Sequence, residues 1–414
     1  MTKAQFDLEQ AWASKVPSHW RWTRNKELLV ESQAVTVDGS EELLSVSHLT
    51  GVTPKSQKNV TMTAAENLDG YRLVKSGDLV INTMWAWMGA LGVARQPGIV
   101  SPAYGVYSAR TEAPFNPAFY DYLYRSTPYV MEMTRNSRGI WSSRLRLYPD
   151  VFLRMAIPVP PPDEQRAIAD YLARETDRID TLIKEQQRLI KMLRERRQAV
   201  IDASFSPLGE PNVQLRRYIK FLTSGSRGWG DYYADQGKRF LRIGNLPRAN
   251  LEIGGDIQLV DLPANVTEGS RTMLQEGDLL LSITAYLGSV AVVEGDWVGA
   301  YVSQHVALCR LERDRVDPRF IGWFMLTTTG QDELNEGAAG GAKMQLALDD
   351  IKGLRVPTAP IQQQRRIAAH LDRQTAKIDE LVTESERFIE LARERRTALM
   401  TAAVTGQIDV RESV

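Results

Sequence analysis

The chain is poor in several features that would place it in a common class of proteins. It has one cysteine, Cys309, among 414 residues, which excludes an internal disulfide and a thiolate metal cluster within one chain. No apolar run is long enough to span a bilayer. The first residues, MTKAQFDLEQAW, are charged and lack the apolar core of a secretory signal. We therefore expect a cytoplasmic protein without a membrane segment.

An excess of either charge is also missing, since the chain has 51 Lys and Arg residues and 51 Asp and Glu residues. A protein that binds nucleic acid alone usually carries a basic excess. Overall neutrality permits a local basic face, but it indicates that other subunits would supply part of any contact with phosphates.

Motifs for catalysis are few, and each has a simpler structural interpretation. Residues 116–119, Asn-Pro-Ala-Phe, approach the Asn-Pro-Pro-aromatic motif of adenine methyltransferases but lack its second proline. Asn or Asp before Pro is a good helix start, and we favour this interpretation because Asp-Pro stands at the matching position 317–318. Metal-ligand spacing is absent from the four histidines, His19, His48, His305 and His370. The sequence predicts a non-enzymatic chain that binds neither metal nor cofactor.

The dominant feature of the sequence is an internal repeat. Residues 157–203, which begin IPVPPPDEQRAIADYL, recur without a gap as residues 356–402, which begin VPTAPIQQQRRIAAHL. Prolines precede each copy, and apolar residues follow at steps of three and four. This pattern predicts two long helices, over residues 160–206 and 360–404.

Each predicted helix has a heptad seam. The seam residues are Ile168, Leu172, Ile179, Leu182, Leu189 and Leu193 in the first copy and Ile367, Leu371, Ile378, Leu381 and Phe388 in the second. Polar interruptions fall at matching places, Glu175/Gln374, Gln186/Ser385 and Arg196/Arg395. One interpretation is a coiled coil that only dimerises the chain. The matched interruptions favour pairing of the two copies within one chain, where the partner is always present at high effective concentration.

The rest of the chain forms two stretches, 1–150 and 208–348, that mix short β-rich runs with turn residues. They are weakly similar to each other, because SGDLVI at 76–81 matches EGDLLL at 276–281. The expected fold class is α+β. It has two globular α/β-type domains, each followed by one of the long helices, in a pseudo-twofold repeat that ends in a short tail at 405–414.

Candidate nucleic-acid contacts lie in one basic window of the first domain and in scattered positions of the second. Arg, Asn and Ser side chains read base edges or bind phosphates. The candidates are Arg135, Asn136, Arg138, Ser142, Arg144 and Arg146 in the first domain and Arg227, Lys238, Arg239, Arg242, Asn245, Arg248 and Lys343 in the second. For each of them, the alternative is a solvated surface side chain.

These features together resemble a known family. The helix starts PPPDEQRAIADYL and APIQQQRRIAAHL, the two RERR runs, the ending AAVTGQIDVRE and PSHW at 17–20 are similar to conserved regions of the specificity subunits of Type I restriction–modification systems. The resemblance covers essentially the whole chain. One departure is QQQ at 362–364, where the first copy has DEQ and the family usually has an acid before the glutamine.

The resemblance implies that residues 1–150 and 208–348 are target recognition domains, each of which reads one half of a split DNA site. The helices would pair antiparallel as an intramolecular coiled coil and set the unread spacer. The implied partners are double-stranded DNA, two methyltransferase (modification) subunits and restriction subunits, without membrane association. S-adenosylmethionine, ATP and Mg²⁺ would bind to those subunits, and the chain alone would be non-catalytic. The alternatives are a coiled-coil scaffold protein without sequence-selective DNA binding, and a methyltransferase or nuclease.

Overall fold

The computed structural model describes residues 12–57, 68–139, 145–263, 266, 268–284, 287–337 and 345–410. Three predicted contact residues, Ser142, Arg144 and Lys343, lie outside the described residues. The chain divides into two compact units, unit 1 (Met1–Gln186 and Arg387–Val414) and unit 2 (Gln187–Glu386). Each unit therefore combines one predicted recognition domain with a segment of each long helix.

Unit 1 contains short strands and short helices before the first long helix begins. Its strands are β1 (Arg21–Arg24), β2 (Leu29–Glu31), β3 (Leu44–Ser47), β4 (Gly51–Pro54), β5 (Arg72–Val74), β6 (Leu79–Asn82), β7 (Leu91–Val93), β8 (Gly98–Val100), β9 (Tyr104–Ala109) and β10 (Ala156–Val159). Its short helices are α1 (Asn25–Leu28), α2 (Pro117–Arg125), α3 (Thr127–Asn136) and α4 (Pro149–Arg154). The long helix α5 covers Pro162–Phe205.

Unit 2 ends in the same order, with three short helices and one strand before the long helix, but its first short helix lies later in the chain. Its strands are β11 (Val213–Gln214), β12 (Ile219–Ser224), β13 (Tyr233–Ala234), β14 (Lys238–Leu241), β15 (Gln258–Val260), β16 (Leu279–Ser282), β17 (Val290–Val292), β18 (Tyr301–Val302), β19 (Val306–Leu311) and β20 (Arg355–Val356). Its short helices are α6 (Glu268–Arg271), α7 (Pro318–Met325), α8 (Thr328–Gly337) and α9 (Leu348–Gly353). The second long helix, α10, covers Ile361–Val404.

The same antiparallel sheet lies at the centre of both units. Its strand order is β2-β9-β6-β7 in unit 1 and β12-β19-β16-β17 in unit 2. In β6, Leu79 and Ile81 belong to one buried cluster and Val80 to another, and β16 divides in the same way. Because successive residues of a strand point to opposite faces, both faces of this sheet are covered. The stretches LVI at 79–81 and LLL at 279–281 are continuously apolar for this reason.

The helix-start interpretation of residues 116–119 is confirmed. Asn116 Oδ1 accepts hydrogen bonds from the backbone N–H groups of Ala118 and Phe119 at 3.0 and 3.2 Å. Asp317 caps α7 through the same two bonds in unit 2. Each cap is also bound by a glutamine of a long helix, Asn116 by Gln165 and Asp317 by Gln364. These contacts fix each predicted recognition domain to the start of its own helix.

The two long helices run antiparallel where they meet within each unit. In unit 2, Arg194 donates a hydrogen bond to Glu386, and Arg197 donates two to Asp379. Residue numbers therefore rise along one helix as they fall along the other. In unit 1, the first turns of α5 and the last turns of α10 share one core. Pairing within a single chain, and its antiparallel direction, are confirmed.

The buried seam differs from the predicted one in the middle of each helix. Ile168, Leu172, Ile179, Leu193, Leu371 and Ile378 are buried and Ile367 is half-buried, as predicted. The prediction is wrong for four residues that are 36–48% exposed, Leu182, Leu189, Leu381 and Phe388. Their places in the seam are taken by Ile183 and Ile190 in α5, and by Ile389 and half-buried Val382 in α10.

The difference arises from polar residues that the helices bury. Thr176 is 5% exposed, since its Oγ1 donates to the carbonyl of Leu172 at 2.6 Å. A step of three to Ile179 and a step of four to Ile183 continue the seam from Thr176. The apolar pattern missed Thr176, and after Ile179 it placed the seam one residue too early, at Leu182 and Leu189. The polar interruptions at 175 and 196 are likewise displaced by one residue.

The units differ where the recognition domain contacts the long helix. In unit 2, the Arg319 guanidinium donates two hydrogen bonds to Asp372, at 3.0 and 2.7 Å, and one to Glu294 at 2.7 Å. The equivalent positions of Arg319 and Asp372 in unit 1 are Ala118 and Ala173. A groove of about 610 Å³ remains there.

Candidate nucleic-acid interface

Both units place a predicted contact segment at the same end of the central strand. In unit 1, the N–H of Leu147 donates to the carbonyl of Thr83, the residue after β6. In unit 2, the N–H of Leu346 donates to the carbonyl of Ile283, the residue after β16. The chain that follows each predicted contact segment is therefore hydrogen-bonded to the end of the central strand, β6 in unit 1 and β16 in unit 2. We call this end the strand tip.

Two of the predicted arginines meet at this tip in unit 1. The backbones of Arg138 and Arg146 exchange two hydrogen bonds of 2.9 Å. Both residues are exposed, and among the described residues neither side chain has an ion-pair partner. They line a cavity of about 830 Å³ together with Trp85 and Tyr148. Two unpaired guanidinium groups on one rim suit an anionic ligand such as the DNA backbone.

The aromatic wall of this cavity was not predicted from the sequence. Trp85 is 49% exposed and stacks on Trp87, with 6.1 Å between the ring centroids and 18° between the planes. The turn is anchored to α3 because Thr134 Oγ1 donates to the carbonyl of Trp87 at 3.1 Å. The available signal was the position of this Trp-rich run directly after the buried GDLV strand.

Arg135 and Asn136 lie on α3 and do not line the cavity. Asn136 Nδ2 donates to both the carbonyl and the side chain of Glu132, at 2.9 and 2.7 Å. Arg135 is exposed, and its Nη1 lies 3.9 Å from the same glutamate. Of the four predicted residues that are described in this window, Arg138 and Arg146 are thus the two at the strand tip.

Two of the predicted basic residues of unit 2, Lys238 and Arg239, lie on β14 of a second sheet, β13-β15-β14-β18, and both have partners. Arg239 donates to Asp296 at 2.9 Å and lies over the Trp297 ring. Lys238 Nζ lies 5.3 Å from the Tyr301 ring centroid. The ion pair offsets the charge of Arg239, so Arg239 should attract a phosphate less strongly than an arginine without an acidic partner does.

The prediction that Asn245 contacts DNA is wrong. Its side chain is buried, and Oδ1 accepts the N–H of Arg242 at 2.9 Å. Its Nδ2 donates to the carbonyls of Gly254 and Asp256. The amide is therefore fully used to close a turn, which sequence alone does not reveal. Arg242 is half-buried, whereas Arg227 and Arg248 are exposed.

Polar side chains at the strand tips were also missed. In unit 2, His305 Nδ1 lies 2.8 Å from Thr284 Oγ1, and His305 Nε2 lies 3.1 Å from the Gln304 amide. At the equivalent tip in unit 1, Asn82 Nδ2 donates to the Tyr104 hydroxyl at 3.1 Å. Asn82 is buried, so the groups that the two tips present on the same framework are the half-buried Tyr104 hydroxyl in unit 1 and the exposed His305 ring in unit 2. Two readers of different base edges would differ in this way.

Other kinds of site find little support in the described part of the chain. There, no group of three or more His, Cys, Asp or Glu side chains is arranged to hold a metal ion. Burial, with a smaller contribution from Asp278, raises the pKa of the Cys309 thiol to about 12, so it stays protonated at neutral pH. None of the described helices is both long and apolar enough to traverse a bilayer.

Comparison with protein families matches residues 265–390 to the model of the Type I restriction modification DNA specificity domain. A curated relative, the MjaX specificity subunit of a type I restriction enzyme from Methanocaldococcus jannaschii, is 22% identical over 303 residues. The match covers 68% of this chain and 64% of the relative, so less than two thirds of that protein is spanned.

Solved structures share the fold over nearly the whole chain. One, described as the structural basis of complex assembly and conformational transition of the type I R-M system, has a TM-score of 0.70 at 17% identity and covers 95% of this chain and 99% of its own. The HsdS subunit from Thermoanaerobacter tengcongensis has a TM-score of 0.57 at 18% identity and covers 95% and 98%. With its duplicated helices, its capped domains and the family model that matches residues 265–390, the chain is similar to the specificity subunits of Type I restriction–modification systems.

Proposed function

We propose that the chain is the DNA-recognition subunit of a Type I restriction–modification complex, in which units 1 and 2 read different halves of a bipartite site. The observation that carries this proposal is the duplication itself. Both units keep the same sheet, the same helix cap and the same glutamine contact. Their strand tips differ in hydrogen-bonding groups. A repeated frame with different tips suits the reading of two unlike half-sites.

In this proposal the chain performs no chemistry. Arg138 and Arg146 supply contacts to the DNA backbone, and the tip residues contact base edges. S-adenosylmethionine, ATP and Mg²⁺ bind to modification and restriction subunits, and the complex works in the cytoplasm. The neutral net charge of the chain agrees with partner subunits that help to enclose the duplex.

Exposed apolar side chains on the long helices support two equivalent partners. Leu182, Leu189 and Met192 of α5 are 39%, 36% and 48% exposed. Their repeat equivalents in α10, Leu381, Phe388 and Leu391, are 48%, 42% and 53% exposed. Exposed apolar side chains that cluster on a helix mark surfaces for protein partners. Because the same set occurs twice, two copies of one modification subunit are the proposed occupants.

The proposal is tested by exchange of one recognition domain. The chain is assembled with its modification subunits, and methylated adenines are mapped in the host genome. A chimera that carries residues 1–150 of another specificity subunit is then mapped in the same way. We expect one half of the methylated site to change and the other half to remain.

The reciprocal chimera, with residues 208–348 replaced, is the matched control and should alter only the other half. A change in both halves, or in neither, in a chimera that still methylates DNA would contradict the modular assignment. An assembled complex that binds all duplexes equally would favour a scaffold, and methyl transfer by the chain alone would favour an enzyme.

A further inference from the structure

One wall of the cavity in unit 1 consists of large, partly apolar side chains, and their exposure to water is unfavourable. Trp85 is 49% exposed, Tyr148 is 45% exposed and Met84 is 36% exposed, and all three line the same cavity. Large apolar surfaces that remain exposed on a folded domain usually mark a binding site. A flat indole at the wall of an open cavity suits a flat ligand that can stack on it.

The charges around the cavity indicate what kind of flat ligand fits. Arg138 and Arg146 line it and are exposed, and they would bind anionic groups on either side of the ring. The acid on the rim, Asp150, is held by Arg154 at 3.1 Å. An aromatic surface flanked by two exposed arginines is the combination that binds a base together with its phosphates.

We propose that this cavity binds one unstacked nucleobase of the half-site read by unit 1, with Trp85 as the stacking surface; the inference rests on the proposed function. Arg138 and Arg146 hold the phosphates that flank the base. The volume of about 830 Å³ lies within the range of cavities that take small organic ligands. The base is partly withdrawn from its stack, so the local sequence is read through the ease of unstacking as well as through base edges.

The repeat provides an internal comparison. The segment after the central strand reads NTMWAWMG in unit 1 and SITAYLG in unit 2. The second segment is one residue shorter, so Trp85 aligns with Thr284 or with Ala285, which lies outside the described residues. Neither residue has an aromatic ring to stack on a base, so the half-site read by unit 2 should show no dependence of this kind at the equivalent position.

A mismatch experiment tests the inference with the assembled complex and its mapped site. Single mismatched base pairs are placed at each position of the two half-sites, because a mismatched base is already partly unstacked and costs less to withdraw. At one position of the half-site of unit 1, we expect a mismatch to tighten binding at least five-fold. Trp85→Ala should abolish this gain and weaken binding of the matched duplex at least ten-fold. Trp85→Phe should keep most of the gain from the mismatch and most of the affinity for the matched duplex.

A matched control and a cross-link separate stacking from folding. Met131, on α3, is 67% exposed and does not line the cavity, and Met131→Ala should bind every duplex within two-fold of the unchanged chain. With the unchanged chain, 5-iodouracil or 5-iodocytosine at the sensitive position should cross-link under near-ultraviolet light to the peptide that contains Trp85.

Each outcome has a defined meaning. If the complex selects its site but Trp85→Ala binds within two-fold of the unchanged chain, or no cross-link to Trp85 forms at any position, the inference is overturned and the proposed function stands. If the complex selects no sequence at all, the proposed function fails first. If Trp85→Ala lowers the unfolding midpoint, its loss of affinity is not used, and the binding of Trp85→Phe and the cross-link to Trp85 decide the inference.

Discussion

Gln165 Oε1 accepts a hydrogen bond of 2.9 Å from the backbone N–H of Asn116. The same amide donates through Nε2 to the carbonyls of Pro114 and Pro160, at 3.0 and 2.9 Å. Gln165 is 1% exposed, so one buried side chain satisfies three backbone groups at the junction of domain and helix. Gln364 is buried at the corresponding junction of unit 2 and binds the N–H of Asp317.

Loss of this amide should destabilise unit 1. Gln165→Ala leaves the N–H of Asn116 and two buried carbonyls without this partner, and we expect a loss of about 2–3 kcal/mol. Gln165→Glu keeps the acceptor but turns a buried carboxylate oxygen towards two carbonyl oxygens, and it should destabilise unit 1 at least as much as Gln165→Ala. The exposed Gln362→Ala is the control. Calorimetry measures the unfolding midpoint of each variant. Equal midpoints for Gln165→Ala and Gln362→Ala would refute the stabilising role of the Gln165 amide.

The ion pair of the helices in unit 2 should matter more than its repeat in unit 1. Arg197 is 8% exposed and binds Asp379 through two hydrogen bonds, at 2.8 and 3.1 Å. Arg396 is 30% exposed, and its Nε lies 3.1 Å from Asp180 without hydrogen-bond geometry. We expect Asp379→Asn to cost about 1–2 kcal/mol, since Asp379 is partly exposed, and Asp180→Asn less than about 1 kcal/mol. Urea denaturation of both variants tests the order, and the reverse order would contradict it.

Cys309 should resist alkylation until the protein unfolds. Burial and the nearby Asp278 raise the pKa of its thiol to about 12, so the folded state retains a proton that the unfolded state releases at lower pH. This contribution to stability is complete below the ordinary thiol pKa and declines as the pH rises from there towards 12. Iodoacetamide labelling at pH 8.5, followed by mass spectrometry, should show slow labelling in buffer and rapid labelling in urea. Equal rates would disprove the burial argument.

The exposed apolar residues of the long helices should be needed for partner binding and not for folding. Leu189→Glu combined with Phe388→Glu removes one equivalent side chain from each helix, both more than a third exposed. We expect at least a ten-fold loss of affinity for the modification subunit and an unfolding midpoint within 2 °C. Lys184→Glu, also exposed on α5, should leave affinity unchanged. Titration calorimetry measures the affinity, and unaltered binding by the double variant would exclude this surface.

Helix length should determine the length of the unread spacer. Seven residues inserted after Gln186 and seven after Glu386 keep the heptad register and add about 10 Å of helix. This length corresponds to about three base pairs of B-DNA. Methylation mapping should show a spacer longer by about that number, and insertion of four residues in each helix, which breaks the register, should abolish methylation. An unchanged spacer in an active seven-residue variant would rule out this role for the helices.

Much of the fold could be predicted because its signals are local. The repeat fixed both long helices to within two residues of Pro162–Phe205 and Ile361–Val404. The seam failed in the middle of each helix because Thr176 and Arg197 are polar residues whose burial depends on partners, one of them on the other helix. Apolar periodicity cannot detect a polar seam residue, so the pattern placed the seam one residue too early at Leu182 and Leu189.

The site was less predictable because residue type does not determine whether a side chain is exposed and free to bind DNA. Arg138 and Arg146 were found because their window contains no acid, yet Asn245, of equally suitable chemistry, is consumed by a turn. Trp85 and His305 were missed because their importance comes from lying just after or before central strands. A search for the residues beyond each buried GDL strand would have found Asn82, Trp85 and Thr284.

The contact between Arg319 and Asp372, replaced in unit 1 by Ala118 and Ala173, has a practical consequence for grafting. A recognition domain that is transferred to another specificity subunit brings its own residue at the position of Arg319. The residue at the position of Asp372 then comes from the long helix of the recipient subunit. A junction at residue 150 separates these coupled positions, whereas a junction beyond Thr176 transfers them together. Hybrid subunits joined at the later point should therefore express and assemble more reliably than hybrids joined at the earlier one.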